Sequence, residues 1–374
     1  MLQTPVTAET PASWLVQHAP DLPVQFFAPG ALQARLQTFL TGFPGLVTFA
    51  VKANPSPHVM AQLAAQGLAG FDVASPDEIA LVRATAPGLA MHYNNPVRSA
   101  AEIRAGIAGG VVSWSVDEQG ELDKLTSAGL PMGTEIAVRF RLPVAGATYN
   151  FGSKFGAEPE AAVALLGRVV AAGMVPALTF HVGTQCTDPT AWDRYIRTAA
   201  EIARAAGVTI GRLNVGGGFP AGRDGAPVDL TPFFAAIDSA ADAFDHRPVL
   251  ICEPGRGLVA DAFCFAVRVK SLRAGRCYLE DGIYGGLSEF PSMGAPAFAA
   301  LAPDGSLRHG ADLPRVVFGP TCDSLDRLPG ETPLPADLTE GDWLIFRSTG
   351  AYLNGVTTRF NGYGERREVT VRAL

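Results

Sequence analysis

The chain has 374 residues, more than one hydrophobic core usually supports, and 48% hydrophobic and 17% charged residues, as in ordinary globular proteins. Its net charge of −7 argues against nucleic-acid binding, which needs a basic surface. The sequence contains no uninterrupted apolar run of about 18 residues, so no membrane span is predicted. The first residues, MLQTPVTAETPASW, lack the basic and apolar regions of a secretory signal.

The cysteines are odd in number and form no C-x-x-C pair, which argues against a disulfide framework or a zinc site and favours a cytoplasmic protein. Cys252, Cys264 and Cys277 lie in apolar runs and are expected to be core side chains. Cys322 follows a polar Gly-Pro turn, and Cys186 is ambiguous.

From residue 34 to residue 262, short apolar runs alternate with alanine-rich helical patterns. The runs are LVTFAVKAN, GFDVAS, MHYNNP, GVVSWSVD, TEIAVRFRL, ALTFHVGTQ, RLNVGGGFP and VLICEPGR. Several helical patterns begin with Ser-Pro or Asp-Pro, a signal for a helix N-terminus. Eight strand–helix units predict an α/β fold with a (β/α)8 barrel, whose usual length is about 250 residues. A doubly wound open sheet is the alternative that the pattern leaves open.

The pattern changes after residue 262. Runs such as FCFAVRVKSLRA, PRVVFGP, DWLIFRS and REVTVRAL have β spacing and are separated by Gly and Pro turns. Residues 263–374 therefore predict a β-sandwich or β-barrel domain, completed by residues 1–33.

Polar residues follow several of the predicted barrel strands, where catalytic groups of such barrels lie. Each has an ordinary structural explanation, because a strand-end lysine is usually solvated, a lone histidine usually structural and a triple glycine often only a turn. Their combination suggests a site formed by Lys52, Asp72, His181, Gly216, Gly217, Gly218, Glu253 and Arg256.

The motifs VKAN, FDVAS, NNP, KFG, HVGTQC, NVGGGFP, EPGR, GPTCDS, GAY and FNGY occur in this order from about residue 47 to residue 363. In this order they resemble the ornithine/diaminopimelate decarboxylase family of fold-type III pyridoxal-phosphate (PLP) enzymes, and the ornithine decarboxylase branch most. The resemblance implies PLP as cofactor, a PLP-binding barrel and a C-terminal β-domain.

The resemblance also implies roles for the barrel residues. Lys52 would hold PLP as a Schiff base, and Glu253 would pair with the pyridine nitrogen, where the alanine racemases place an arginine. His181 would stack on the ring. The phosphate would be bound by the triple glycine, Arg256 and Tyr352. Thr184, where the family commonly has a serine, and Gly255 would also contact the cofactor. Asp72, Arg139 and Lys154 resemble groups around the lysine, although purely structural salt bridges explain these three equally well.

The GPTCDS loop of this family comes from the partner subunit, so the resemblance implies a homodimer with shared sites. Cys322 would deliver a proton to the former carboxylate carbon, and Asp323 would bind the distal ammonium of the substrate. Tyr284 and Tyr363 match residues that line the substrate pocket.

Two positions depart from the family pattern. Ser292 and Met293 stand where ornithine decarboxylases usually carry a second acid for the distal amine, so Glu289 is the nearest replacement. Asn214 precedes the triple glycine where aspartate is frequent, and we expect little consequence from that change.

These features predict decarboxylation of a basic L-amino acid, with ornithine converted to putrescine and CO2 in polyamine biosynthesis. A lysine or dual lysine/ornithine enzyme is the near alternative, since one methylene separates the substrates. Diaminopimelate is less compatible with the acidic CDS motif, and the short chain disfavours the large arginine decarboxylases. Glu253 and Cys322 disfavour a racemase. A regulatory homologue without activity is the distant alternative.

Overall fold

The structure is a computed structural model that describes residues 8–149 and 151–374. Its strands are β1 (Val24–Phe27), β2 (Leu46–Ala50), β3 (Gly70–Val73), β4 (Ala90–Tyr93), β5 (Ser113–Val116), β6 (Glu135–Arg139), β7 (Val175–Thr179), β8 (Arg212–Asn214), β9 (Val249–Cys252), β10 (Phe263–Arg273), β11 (Arg276–Leu279), β12 (Phe298–Leu301), β13 (Asp312–Phe318), β14 (Thr332–Pro335), β15 (Trp343–Phe346) and β16 (Arg367–Thr370).

The α-helices are α1 (Pro11–His18), α2 (Pro29–Gly42), α3 (Pro57–Ala65), α4 (Pro76–Thr85), α5 (Ala100–Ala108), α6 (Gln119–Ser127), α7 (Pro159–Ala171), α8 (Thr190–Ala205), α9 (Thr231–Ala240), α10 (Arg256–Val259), α11 (Phe290–Met293) and α12 (Leu353–Val356). Single turns of 3-10 helix cover Val51–Ala53, Ala241–Ala243, Ala260–Ala262 and Phe360–Gly362. Among the described residues, no helix combines the length and the apolar character that a membrane span requires.

Strands β2 to β9 form a closed barrel in which every neighbouring pair is parallel, including β9 and β2. Parallel neighbours need a crossover between them, and helices α3 to α9 supply one for each successive pair. The predicted (β/α)8 barrel is therefore confirmed, and the open-sheet alternative is wrong because β9 pairs with β2.

Serine caps begin two of the barrel helices, α4 at a predicted Ser-Pro and α5 at a serine followed by alanine. Ser75 and Ser99 cap α4 and α5, and each side chain accepts a hydrogen bond from the backbone three residues on. Ser99 forms a capping box with Glu102. These caps satisfy backbone N–H groups that the first helical turn leaves unpaired. The strand ends that precede the helices are thereby held in defined positions.

The second unit is a mostly antiparallel sheet in the order β12-β15-β10-β11-β13-β14, with β1 placed between β10 and β16. Its core contains apolar side chains such as Phe265, Leu344 and Phe346. This sheet confirms the predicted β-domain. The cysteines at 252, 264 and 277 are buried, as expected, whereas the one at 322 is exposed.

The described residues divide into two compact units. The barrel unit contains 36–220 and 229–257, and the β unit contains 8–35, 221–228 and 258–374. Residues 1–7, which the sequence assigns to the β-domain, lie outside the described residues. The predicted limits of 34–262 for the barrel, with 1–33 plus 263–374 for the β-domain, stay predictions.

Gly45 precedes β2, and a side chain there would disturb the barrel. A Cβ at this position would lie 2.2 Å from the carbonyl oxygen of Leu250, a backbone atom that cannot easily move. Gly45→Ala should lower the free energy of unfolding by about 2 kcal/mol and the melting temperature by roughly 4–8 °C.

Gly211 is the matched control for this prediction. It precedes β8 as Gly45 precedes β2, but a Cβ there would meet nothing within 4 Å. Gly211→Ala should melt within about 2 °C of the unmodified chain. Equal melting temperatures for the two variants would contradict the prediction.

Candidate active site

Lys52 and Asp72 meet where β2 and β3 end. Lys52 lies on the 3-10 turn that follows β2, and the strand register pairs Ala50 with Asp72. The lysine Nζ is 3.8 Å from Asp72 Oδ2, and the two side chains are 46% and 3% exposed. Burial, reinforced by the neighbouring Glu253 carboxylate, holds the pKa of Asp72 well above its usual range, while the lysine opposes this. The pair thus presents a half-exposed amine beside a buried carboxyl group.

Glu253 follows β9 and is only 7% exposed. Its Oε2 accepts hydrogen bonds from the side-chain amides of Asn94, at 2.6 Å, and Asn214, at 2.8 Å. The Asn214 Oδ1 in turn accepts from the Gly216 N–H at 2.8 Å, which defines the orientation of this amide. Both donors use the same carboxylate oxygen, so Oε1 is the oxygen of Glu253 that can meet a bound group.

The triple glycine forms a turn with no room for side chains. Gly216 and Gly218 have φ angles of 71° and 89°, values that favour glycine. A Cβ at Gly216, Gly217 or Gly218 would approach the carbonyl oxygens of Phe180, Glu253 and Gly183 to 2.3, 2.8 and 2.3 Å, respectively. Such a backbone turn can bring N–H groups close to an anion, which suits the phosphate of PLP.

His181 is held as a neutral imidazole. Its Nδ1 accepts a hydrogen bond from the Gly183 N–H at 3.0 Å, so the ring carries its proton on Nε2. The Phe151 ring packs edge-on against it at a centroid distance of 4.8 Å. Burial, together with the cations of Lys52 and Arg139, lowers the pKa of this histidine well below its usual value. An uncharged flat ring is suitable for stacking on a cofactor.

Arg139 and Lys154 both contact the Phe155 ring, at 5.2 and 5.0 Å from its centre. The arginine, at the end of β6, also donates to the backbone oxygen of Asn94 at 3.4 Å. Burial lowers the pKa of Arg139, and Glu253 opposes this effect. Lys154 is exposed. Arg139 therefore supports the strand end that carries Asn94, whereas Lys154 lies at the surface.

The remaining predicted cofactor ligands lie in both units. Thr184 and Arg256 are buried barrel residues, and the latter begins α10 directly after Gly255. Tyr352 belongs to the β unit and precedes α12 with a φ of 64°. The cofactor contacts of all four residues stay predictions.

In the β unit, Tyr284 and Asp323 form a hydrogen-bonded pair. The tyrosine hydroxyl donates to Asp323 Oδ2 at 2.5 Å, and the Leu325 N–H donates to Oδ1 at 2.9 Å. These bonds lower the pKa of Asp323, while the carboxylate raises the pKa of Tyr284. The aspartate is thus held as an anion that can attract a substrate ammonium.

Cys322 is exposed beside this pair. Its N–H and its Sγ both lie 3.2 Å from Asn361 Oδ1. A cavity of about 470 Å³ is lined by residues of this loop together with Lys270 and Arg273. The thiol is therefore accessible, as a proton donor must be.

Two buried carboxylates hold the loops that carry these residues. Asp326 accepts hydrogen bonds from the backbone of Ile283 and from the backbone and hydroxyl of Thr321. Asp281 accepts from the N–H groups of Gly282 and Gly286, and burial raises its pKa to about 6. The loop before Cys322 is thereby tied to the segment that contains Tyr284.

Glu289, the nearest replacement for the expected second acid, lies beside a one-turn helix. Glu289 precedes the one-turn helix α11, and its backbone oxygen accepts from the Ser292 hydroxyl at 3.1 Å. Met293 ends this helix. Tyr363 lies under the Lys270 ammonium, 5.2 Å from its ring centre. Substrate contacts by Glu289 and Tyr363 stay predictions.

Sequence reasoning missed Asn94 and underrated Asn214. The motifs NNP and NVGGG contain them, but a neutral amide carries no chemical signal of its own. The expectation of little consequence from asparagine at position 214 stays a prediction, while its two hydrogen bonds connect Glu253 with the glycine turn.

The chain is similar to known proteins in a family domain, in sequence and in fold. The model of the pyridoxal-dependent decarboxylase pyridoxal binding domain matches residues 30–260. Ornithine decarboxylase from Mus musculus is 30% identical over 354 residues, which cover 87% of this chain and 75% of that protein. Antizyme inhibitor 2 from Xenopus laevis is 31% identical over 356 residues, with the same coverage of 87% and 75%.

Two solved structures resemble the whole chain. The arginine decarboxylase of Paramecium bursaria Chlorella virus, bound to agmatine, has a TM-score of 0.86 at 25% identity and covers 96% of this chain and 98% of its own. The lysine/ornithine decarboxylase of Vibrio vulnificus, with putrescine, has a TM-score of 0.82 at 26% identity and covers 96% of both chains. Together with the matched domain, these likenesses confirm the family and the cofactor that the motifs indicate. This chain belongs to the fold-type III pyridoxal-phosphate-dependent decarboxylases.

Proposed function

We propose that the chain decarboxylates a basic L-amino acid, with L-ornithine as the preferred substrate and putrescine and CO2 as the products. The observation that carries the proposal is the arrangement at the barrel strand ends. A half-exposed lysine beside a buried aspartate lies near a glutamate that two amides hold by one oxygen. A glycine turn without room for Cβ atoms adjoins them.

The chain's own groups would prepare this site for PLP. The Lys52 amine would hold the cofactor, and Glu253 Oε1 would keep the ring nitrogen protonated. The neutral His181 would cover one face of the ring and exclude water. Bound PLP supplies an electron sink for the electron pair that remains on Cα when CO2 departs. The residues around it set the orientation of the bond that breaks.

The β unit would recognise the rest of the substrate. Asp323 would bind the distal ammonium, with Tyr284 holding the carboxylate in place. The exposed Cys322 thiol would return a proton to the carbon that lost CO2. As the family resemblance implies, we propose that this loop acts in the site of the partner subunit of a homodimer.

Other basic substrates compete with ornithine. Lysine differs by one methylene, which a pocket discriminates by only about 1–3 kcal/mol. Length does not separate arginine decarboxylases from this chain, because the Chlorella virus enzyme is covered over 98% of its own chain. Both oxygens of Asp323 already accept a hydrogen bond, from Tyr284 and from Leu325, which favours a single contact with an ammonium over the two-pronged contact of a guanidinium. We therefore rank ornithine and lysine ahead of arginine.

A binding protein without activity is the candidate of a different class. The likeness to antizyme inhibitor 2 gives it a specific basis. The presence of Lys52, Asp72, Glu253 and Cys322 favours the enzyme, since a protein that only binds partners needs none of the four. Polyamine biosynthesis in the cytoplasm is the proposed setting of the reaction.

Replacement of the lysine tests the cofactor assignment. Lys52→Ala should abolish CO2 release, because it removes the amine that lies beside Asp72 after β2. Borohydride treatment of the unmodified protein with PLP should leave the label on the peptide that contains Lys52, as measured by mass spectrometry. Lys124→Ala is the control: this lysine is 42% exposed and pairs with Glu121 within α6, and the variant should keep its activity and its label. Normal turnover of Lys52→Ala would overturn the assignment.

Asp323→Asn tests how the distal ammonium is bound. The change keeps the shape but removes the charge, and should raise KM for ornithine by about tenfold to a hundredfold. Tyr284→Phe removes only one hydrogen bond to the carboxylate and should have a smaller effect. Norvaline, which lacks the distal ammonium, should be turned over equally by the variants and the unmodified protein. CO2 release from ornithine, lysine, arginine, diaminopimelate and norvaline would be compared. An equal loss for norvaline and ornithine would contradict this role.

A mixture of two inactive variants tests the shared site. Lys52→Ala and Cys322→Ala should each decarboxylate poorly, and the second should also misplace the proton in its product. Refolded together, half of the dimers would contain one chain of each kind. If each site combines the lysine of one chain with the cysteine of the other, activity should return to about a quarter of the unmodified value. Additive activity alone, or full activity of a strict monomer, would rule out sharing.

A further inference from the structure

Two uncharged amides converge on one oxygen of the Glu253 carboxylate. The donors are Asn94 Nδ2, at the end of β4, and Asn214 Nδ2, at the end of β8. All three side chains are buried, with exposures of 8%, 7% and 7%. A carboxylate can accept hydrogen bonds at both oxygens, so the use of Oε2 by both amides leaves Oε1 directed to a different partner.

The amides also connect Glu253 with the rest of the cofactor machinery. The Asn94 side chain interacts with the Asp72 carboxyl group, which lies beside Lys52. Asn214 Oδ1 accepts from the N–H of Gly216 in the glycine turn. A continuous set of polar contacts therefore connects Lys52, through Glu253, with the glycine turn.

The side chain at position 214 determines whether Glu253 receives a hydrogen bond from an amide or faces a second carboxyl group. An aspartate, which is frequent there in the family, has no N–H to donate and would place a second carboxylate 2.8 Å from Glu253. Two carboxylates at that distance repel each other, and one of them would take up a proton. An amide avoids this competition and adds a donor.

We propose that Asn94 and Asn214 are positioning residues that hold Glu253 by Oε2 and aim Oε1 at the ring nitrogen of bound PLP. This inference rests on the role of Glu253 stated under Proposed function. The pair controls the proton on the ring nitrogen without touching the substrate. Loss of the pair should therefore lower kcat much more than it raises KM.

The test measures whether the ring nitrogen of bound PLP is protonated. The apoprotein is loaded with PLP labelled with ¹⁵N in the ring, and the ¹⁵N chemical shift reports from pH 6 to pH 9 whether that nitrogen is protonated. The chains compared are the unmodified protein, Glu253→Ala, Asn94→Ala/Asn214→Ala, Asn214→Asp and Asn95→Ala. Asn95 is the matched control, an amide of the same NNP motif whose side chain contacts the backbone of Ala74 and Val97.

In the unmodified protein and in Asn95→Ala the nitrogen should be protonated throughout. In Glu253→Ala it should be unprotonated, and in the double variant it should lose its proton within the range tested. The double variant should lose about tenfold or more in kcat, with KM changed less than about threefold. Asn214→Asp should keep the ring nitrogen protonated, because an aspartic acid that takes up a proton beside Glu253 can still donate to its Oε2.

The two proposals fail in different ways. If Glu253→Ala alters the ¹⁵N shift but the double variant does not, the positioning role is wrong and the role of Glu253 stands. If Glu253→Ala leaves the shift unchanged, the assignment of Glu253 is wrong and this inference falls with it. If the double variant does not fold or bind PLP, the same comparison with Asn94→Ala and Asn214→Ala as single variants decides the question.

Discussion

Pairing of β9 with β2 is the constraint on which the site depends. Because all eight barrel strands are parallel, closure brings their carboxyl ends to one edge of a ring. Residues separated by about 200 positions in the sequence, such as Lys52 and Glu253, thereby become neighbours. The catalytic arrangement is a consequence of strand direction and closure, and helix caps such as Ser75 and Ser99 keep the strand ends in place.

Much of this barrel could be predicted from the sequence, because apolar strand runs alternate with helical patterns, several of which begin with Ser-Pro or Asp-Pro. The polar residues at the strand ends could be found for the same reason, and the motifs then indicated the cofactor. Asn94 and Asn214 could not be found in this way. Their importance comes from a third residue, Glu253, that only the closed barrel brings near them, and an amide has no charge that would mark it in advance.

The sequence predicted that the second unit is a β-domain, but not how its strands pair or how its loops are held. Its alternating runs indicate a sheet, yet the insertion of β1 between β10 and β16 depends on pairing across the length of the chain. The loops at Asp323 and Glu289 are positioned by buried carboxylates, Asp326 and Asp281, that the sequence does not distinguish from surface acids. The hydrogen bond from Tyr284 to Asp323 likewise joins residues from two separate loops.

The positions around the site differ in how readily they accept a substitution, and the glycine turn accepts the least. Three consecutive positions there admit no side chain, so evolution or engineering cannot tune cofactor affinity by substitution within the turn itself. Cys322 and Ser292 are exposed, although Gly319 in the Cys322 loop is also crowded, since a Cβ there would lie 2.3 Å from Asp326 Oδ1. Changes in substrate preference should therefore accumulate at the exposed positions of the β unit rather than in the glycine turn, and new specificities are best sought by randomising those positions.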